Sequence, residues 1–169
     1  YKKFQLMFRH LSGQATLMKG TGATSAAHLD LDGDGEIDTR IQILQFSESG
    51  RFNSNTKLFS TIKPGFSISI TPIKPKSKGS FELDGDSNKV NPNYLSSKED
   101  IELLKLALKF CLNLLRSDSM SKNILKIEDE SEIEKNPEKY IVNNFHSGYH
   151  LIGGSCEAIN SNFEVINTK

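Results

Sequence analysis

The chain has 169 residues, enough for one domain with a single core. Hydrophobic residues make up 36% and charged residues 25% of it, which is typical of folded globular domains and excludes a disordered or fibrous chain. The 21 basic and 21 acidic residues cancel, so nothing indicates a general binder of nucleic acid or of anionic membranes. The sequence has no apolar run near the roughly 20 residues that cross a bilayer.

The first half of the chain predicts a short helix followed by strands. Apolar residues with few helix breakers predict the helix within residues 1–17, and the small residues at 20–27 predict a loop or a close-packed segment. Residues 47–60 are rich in Asn and Ser and predict a long loop. Strands that neighbour each other in a largely antiparallel sheet are predicted where apolar and polar residues alternate, at 40–46, 65–71 and 79–83.

The second half is dominated by one apolar helix. Ser96 or Ser97 can cap its start, and apolar residues then recur at spacings of three and four to about residue 116. Cys111 lies in this stretch and is interpreted as a small core residue. A weaker helix is predicted at 137–145, with a proline in its first turn. The fold class is therefore α+β, a largely antiparallel sheet with helices packed on it. The long helix also carries apolar side chains on a second side: Leu103, Leu106, Phe110 and Leu114.

An acidic segment at residues 30–38 begins like the calcium loop of an EF-hand. Carboxylates stand at positions 1, 3 and 5, glycine at position 6 and aspartate at position 9, but position 12 is Ile41 rather than glutamate. One interpretation is a solvated hairpin turn that uses the ordinary turn chemistry of Asp and Gly. The other is a calcium site of modest affinity, completed by water or by another loop. Its candidate ligands are Asp30, Asp32, Asp34, Glu36 and Asp38.

A second candidate site lies in the sequence NNFHSGYHLIGGSCE at residues 143–157. Gly153 and Gly154 allow the backbone to approach a flat cofactor closely or to adopt positive φ. A histidine beside them, His150, can take a proton from a hydroxyl group near neutral pH. The alternative is a structural histidine beside a tight turn.

The order of several motifs resembles the C-terminal region of the glucose-methanol-choline (GMC) oxidoreductases. The resemblance covers about residues 38–169, with Asp38 and the strand after it at its start. The pattern of the family comprises a Ser-x-Gly strand entry, an Asn/Asp-Pro-x-Tyr segment, a helix opened by an acidic residue, and a His-x-x-Gly-Thr motif. The matching residues are Ser77 and Gly79, Asn91-Pro92-Asn93-Tyr94, Asp100, and His150 with Gly153.

This resemblance implies an FAD-dependent oxidoreductase that acts on the CH–OH group of an alcohol or sugar. His150 matches the histidine that faces the flavin and takes the proton of the substrate hydroxyl, while hydride passes to flavin N5. Gly153 and Gly154 match the residues that pack near the flavin, although Gly154 stands where the family usually has Thr. His146 matches less well, because the third residue after it is Tyr149 rather than Gly.

The resemblance also implies that the chain is cut short at both ends. The dinucleotide fingerprint G-x-G-x-x-G does not occur in this sequence, and the family's second catalytic His or Asn would follow Lys169. Residues 1–140 are then a substrate-binding domain, and residues 141–169 return toward the missing FAD-binding domain and carry the active-site histidine. We expect this fragment alone to be inactive.

A different class of function is a non-catalytic calcium-binding β-module centred on residues 30–38. An enzyme fragment would expose an apolar surface where the flavin domain belongs, whereas a complete β-module would not.

Overall fold

The computed structural model describes residues 5, 8–9, 11–14, 23–45, 47, 65–85, 87–154 and 158–166. These residues form antiparallel sheets and four helices, so the predicted α+β class is confirmed. No helix among these residues combines the length and the apolar character that a membrane span needs.

The first sheet has three antiparallel strands in the order β1 (Ala23–Leu29), β2 (Thr39–Leu44) and β3 (Ser67–Pro72). The strands predicted at 40–46 and 65–71 are confirmed as β2 and β3. A loop or a close-packed segment was predicted at 20–27, and the loop alternative is wrong from residue 23 onward, because that part forms β1. Its sequence ATSAAHL has no alternation and its side chains are mostly exposed, so pairing with β2, rather than a buried face, makes it a strand.

The second sheet is a hairpin of β4 (Ser80–Asp84) and β5 (Ser87–Asn91), separate from the first. The chain reverses at Gly85, whose φ of 56° suits glycine. The strand predicted at 79–83 is confirmed as β4, but β5 was not predicted because SNKVN contains a single apolar residue. The strand at 79–83 was expected to lie in the same sheet as the strands at 40–46 and 65–71, and this expectation is wrong.

The long helix α1 (Lys98–Arg116) begins as predicted. Ser97 is its N-cap, and the Ser97 Oγ accepts a hydrogen bond of 3.1 Å from the Glu99 N–H. Three shorter helices follow: α2 (Asp118–Ser121), α3 (Glu130–Lys135) and α4 (Pro137–Asn144).

Helix α4 confirms the helix predicted at 137–145. Pro137 occupies its first turn, where a missing N–H costs nothing, and the Asn136 side chain accepts the N–H of Lys139 at 3.0 Å. Helix α3 occupies a charge-rich stretch, with Glu130 and Glu132 in its first turn and Lys135 in its last.

The core lies along one face of α1, which packs against β3 and α4. Cys111 is buried there, as predicted, and burial raises the pKa of its thiol to about 11. The second face of α1 stays partly uncovered within the described residues, since Leu106 and Phe110 are exposed. The buried apolar residues are Ile41, Leu104, Ala107, Cys111, Leu112, Ile133 and Ile141.

Two predicted elements lie mostly outside the described residues. Of the helix expected in residues 1–17, the described part includes an N–H of Ser12 that donates to the carbonyl of Phe8 at 2.9 Å, the spacing of an α-helix. Of the long loop expected at 47–60, only Ser47 is described.

Candidate active site

The buried carboxylate of Asp100 joins the start of α1 to the segment that leads into β4. It accepts the N–H groups of Lys76 and Ser77 at 2.7 and 2.8 Å, together with the hydroxyl of Ser77. Only 4% of Asp100 is exposed, so these donors replace the water that an ionised carboxylate needs. Asp100 thereby fixes Ser77, the first motif of the family pattern, against the helix.

Gly79 is the point where the first and second motifs touch. A Cβ added there would lie 2.1 Å from the carbonyl oxygen of Asn91 and 2.7 Å from the carbonyl of Pro92, which no side chain can satisfy without a backbone shift. Close by, the Asn93 side-chain amide donates to the carbonyl of Lys78 at 2.9 Å. The turn at residues 91–94 is therefore packed directly on the strand entry.

Tyr94 connects this turn to the segment that carries the histidines. Its hydroxyl lies 2.9 Å from the Oγ of Ser147, which is 53 residues further along the chain. Its ring is tilted by 57° against the ring of Phe145, with 5.1 Å between the centroids. A series of contacts therefore connects the four motifs of the family pattern. It runs from Asp100 through Ser77, Gly79 and Tyr94 to the segment that carries His150.

His150 lies in the irregular segment after α4, and its side chain is exposed. A Cβ built on Gly148 would lie 3.6 Å from the Cδ2 of His150, so the imidazole stands beside the Gly148 backbone. Tyr149, immediately before it, has a φ of 60°, which is unusual for a bulky side chain. His146 is also exposed and follows the end of α4, with its Nδ1 3.4 Å from the carbonyl oxygen of Asn144.

The two glycines after His150 differ in their surroundings. Gly153 has a φ of 89°, which favours glycine, whereas a Cβ on Gly154 would meet nothing within 4 Å. The apolar neighbours of His150 point away from the core: Tyr149 is 85%, Leu151 62% and Ile152 76% exposed. This part of the chain thus presents a histidine, an open backbone and an uncovered apolar surface together.

The acidic segment at residues 30–38 forms the hairpin that joins β1 to β2, closed by the pairing of Leu29 with Thr39. Carboxylate oxygens of Asp30, Asp32 and Asp38 lie within 4.8 Å of one another. All three carboxylates accept backbone N–H groups of the same loop, Asp32 from residue 34 at 3.1 Å. Asp30 accepts the N–H groups of residues 33 and 35, and Asp38 accepts those of residues 31 and 32.

The other two predicted ligands face different partners. Asp34 accepts the N–H of Glu36 at 2.8 Å, and the Glu36 carboxylate pairs with Lys74, which lowers the pKa of Glu36. Burial alone would raise the pKa of Asp38, but the neighbouring Thr39 hydroxyl and the backbone N–H groups that face the carboxylate together outweigh burial and lower it. The segment is therefore a hairpin whose conformation is explained by hydrogen bonds within the loop, and calcium binding there stays a prediction.

Comparison with known protein families bears on the second half of the chain. The family model described as GMC oxidoreductase matches residues 75–169, more than half of the sequence. The chain belongs to the GMC oxidoreductase family. The matched part of this GMC oxidoreductase contains both strands of the second sheet, the four described helices and His150. No curated protein matches the chain.

Sequence reasoning missed two residues that connect Tyr94 to the segment with the histidines. Ser147 accepts the N–H of Tyr149 at 3.0 Å and also bonds to Tyr94, while Phe145 packs on the Tyr94 ring. A serine two residues before a potential turn position is a recognisable local signal. The contact with Tyr94 had no signal, because it joins residues that are distant in sequence.

Proposed function

We propose that this GMC oxidoreductase chain is the substrate-side part of an FAD-dependent enzyme that oxidises the CH–OH group of an alcohol or sugar, with His150 as the base. The observation that carries the proposal is the position of His150. Its imidazole is exposed on an apolar, uncovered segment that Tyr94 and Ser147 hold against the motif residues of the family. A base in that position can meet a substrate brought to it by another part of the enzyme.

The residues around His150 fit a flavin. The open backbone at Gly154 and the positive φ of Gly153 leave room for a planar group, and Leu151 and Ile152 offer apolar contact. We infer that Gly153 and Gly154 lie near the isoalloxazine ring in the complete protein. The bound flavin supplies the hydride acceptor.

His150 supplies the proton chemistry. One imidazole nitrogen accepts the hydroxyl proton of the substrate, which raises the electron density on the carbon that bears the oxygen and favours loss of its hydrogen as hydride. The alcohol carbon becomes a carbonyl carbon, and the imidazole holds the proton until solvent removes it. Apolar neighbours such as Leu151 exclude water from this step once they are covered.

The uncovered apolar side chains indicate the partner of this segment. Tyr149, Leu151 and Ile152 are too exposed and too close together to be scattered surface residues. We propose that they pack against the FAD-binding half of the same protein, with residues 1–140 as the substrate-binding domain and residues 141–169 as the segment that returns to the flavin. The same exposure supports the enzyme over a self-contained calcium-binding β-module.

The test is replacement of His150 in the complete flavoprotein. We expect His150→Ala and His150→Gln to lower kcat by about 10²–10⁴-fold, the scale of a lost acid/base group, with flavin content per protein retained. His146→Ala is the matched control, since it removes an exposed histidine four residues away, and we expect it to keep kcat within about threefold. Full activity of His150→Ala, measured with its best alcohol or sugar substrate, would remove His150 from the mechanism.

A further inference from the structure

The histidine segment, residues 145–150, is irregular and contacts the turn at residues 91–94. Between residues 145 and 150, the connection to the turn at residues 91–94 consists of the Tyr94–Ser147 hydrogen bond of 2.9 Å and the packing of Tyr94 on Phe145. These two contacts meet at one side chain. The direction of the segment therefore depends on Tyr94.

Ser147 transmits this contact to the backbone beside His150. Its Oγ bonds to the Tyr94 hydroxyl and also accepts the N–H of Tyr149 at 3.0 Å. Tyr149 has a φ of 60°, a conformation that is strained for a bulky residue and persists only where neighbouring contacts hold it. Since the Tyr149 side chain is 85% exposed, its N–H bond to Ser147 is what the described structure offers to hold it.

Tyr94 lies in a turn whose backbone is held by several contacts. Asn93 and Leu95 on either side of it have φ values of 49° and 59°, and the Asn93 N–H is held by the Oδ1 of Asn91 at 3.1 Å. The Asn93 side chain donates to the carbonyl of Lys78, and Gly79 packs on the same turn. Because these contacts hold the turn beside Tyr94, the Tyr94 hydroxyl offers Ser147 a hydrogen-bond partner in a fixed position.

We propose that Tyr94 and Ser147 are positioning residues that orient the His150 imidazole toward the substrate hydroxyl. This inference rests on the proposed function of His150. Neither hydroxyl takes part in the chemistry. Their hydrogen bond fixes the backbone of Tyr149, and that backbone sets the direction of the next side chain, so its loss misplaces the base without removing it.

The experiment compares Tyr94→Phe, Ser147→Ala and the double variant in the complete flavoprotein, with kcat expressed per bound flavin. Tyr94→Phe keeps the ring against Phe145 and removes only the hydroxyl. We expect each single variant to lower kcat roughly 3- to 10-fold with KM within about twofold, the effect of one lost hydrogen bond. The double variant should be no less active than Ser147→Ala alone, because Ser147→Ala already removes the hydrogen bond that Tyr94→Phe removes, together with the acceptor of the Tyr149 N–H. Ser147→Thr, which keeps a hydroxyl, should restore most of kcat.

Two controls separate this inference from the proposed function. Tyr140→Phe removes a tyrosine hydroxyl on α4 and should leave kcat per flavin unchanged. In a His150→Ala background, Tyr94→Phe should cause no further loss, since a positioning residue acts only through the group it positions. Wild-type kcat in Tyr94→Phe, together with an inactive His150→Ala, would overturn the positioning role and leave the base in place. An active His150→Ala would overturn the proposed function itself.

Discussion

Two residues, the buried Asp100 and the glycine at position 79, hold the motif region together. Asp100 satisfies three donors from residues 76 and 77, and Gly79 gives the turn at residues 91–94 the space to pack. Neither residue is near His150 in sequence. Both act on the site indirectly, because Tyr94 stands on the turn that they support. Their replacement should therefore change stability first.

At Asp100 we expect a large loss of stability from a change that keeps the size of the side chain. Asp100→Asn replaces one acceptor oxygen by an NH₂ group, which then faces backbone N–H donors, and should lower the free energy of unfolding by about 1.5–3 kcal/mol. Urea denaturation measures this. The matched control is Glu102→Gln on the same helix, which removes an exposed ion pair with Lys105 and should cost under about 1 kcal/mol. Equal losses in the two variants would contradict this role of Asp100.

At Gly79 the expected effect is steric. Gly79→Ala places a methyl group 2.1 Å from the Asn91 carbonyl oxygen, so the hairpin or the turn must move, at a cost of about 1–3 kcal/mol. Gly65→Ala serves as the control, because its added Cβ would come no closer than 3.9 Å to Ser47. Thermal melting of both variants is the measurement. A melting temperature of Gly79→Ala that matches that of Gly65→Ala would show that the close approach is not required.

At the scale of the element, helix α1 is the part that the sequence predicted best and the one that organises the core. Its N-cap, its length and its buried face follow from residues within the helix itself. Strands β1 and β5 were not predicted, because their sequences are polar or small and their pairing is decided by neighbouring strands. Local patterns therefore indicated the elements that bury a face, and failed for those that only complete a sheet.

The buried face of α1 gives a pH-dependent prediction. Burial raises the pKa of the Cys111 thiol from 9.0 to about 11, so an unfolded chain loses this proton at lower pH than the folded one. The stability due to the neutral thiol is complete below pH 9 and is lost as the pH rises toward 11, by an amount on the order of 2–3 kcal/mol. Urea midpoints of wild type and Cys111→Ala between pH 8 and pH 11 should converge. Parallel curves would show that Cys111 titrates normally.

At the scale of the whole molecule, the described residues form two small sheets and a core along one side of α1, with much apolar surface uncovered. Leu106 and Phe110 on α1 and the segment after α4 remain exposed. A chain with so thin a core relative to its exposed apolar surface is expected to pack against more protein. We propose that the FAD-binding half of the same polypeptide covers this apolar surface.

This leads to a prediction for the complete flavoprotein. Leu151→Ser together with Ile152→Ser should lower the retained flavin and the melting temperature, since two polar groups would replace apolar contacts worth about 1.5–3 kcal/mol each when buried. Leu125→Ser is the control, because Leu125 is fully exposed and lies away from the histidine segment in sequence. The ratio of flavin absorbance to protein absorbance is the measurement. Wild-type flavin retention in the double variant would place the domain contact elsewhere.

The sequence by itself determined the fold class, the bounds of α1 and α4, the core position of Cys111 and the family, because periodicity, capping and short motifs are written in neighbouring residues. The tertiary structure decided which residues meet. It divided the strands into two sheets, and it brought Tyr94 to Ser147 across 53 residues. It also paired the Glu36 carboxylate with Lys74, outside the cluster of aspartates in the β1–β2 hairpin. Such contacts depend on chain reversals between distant segments, and no local pattern records them.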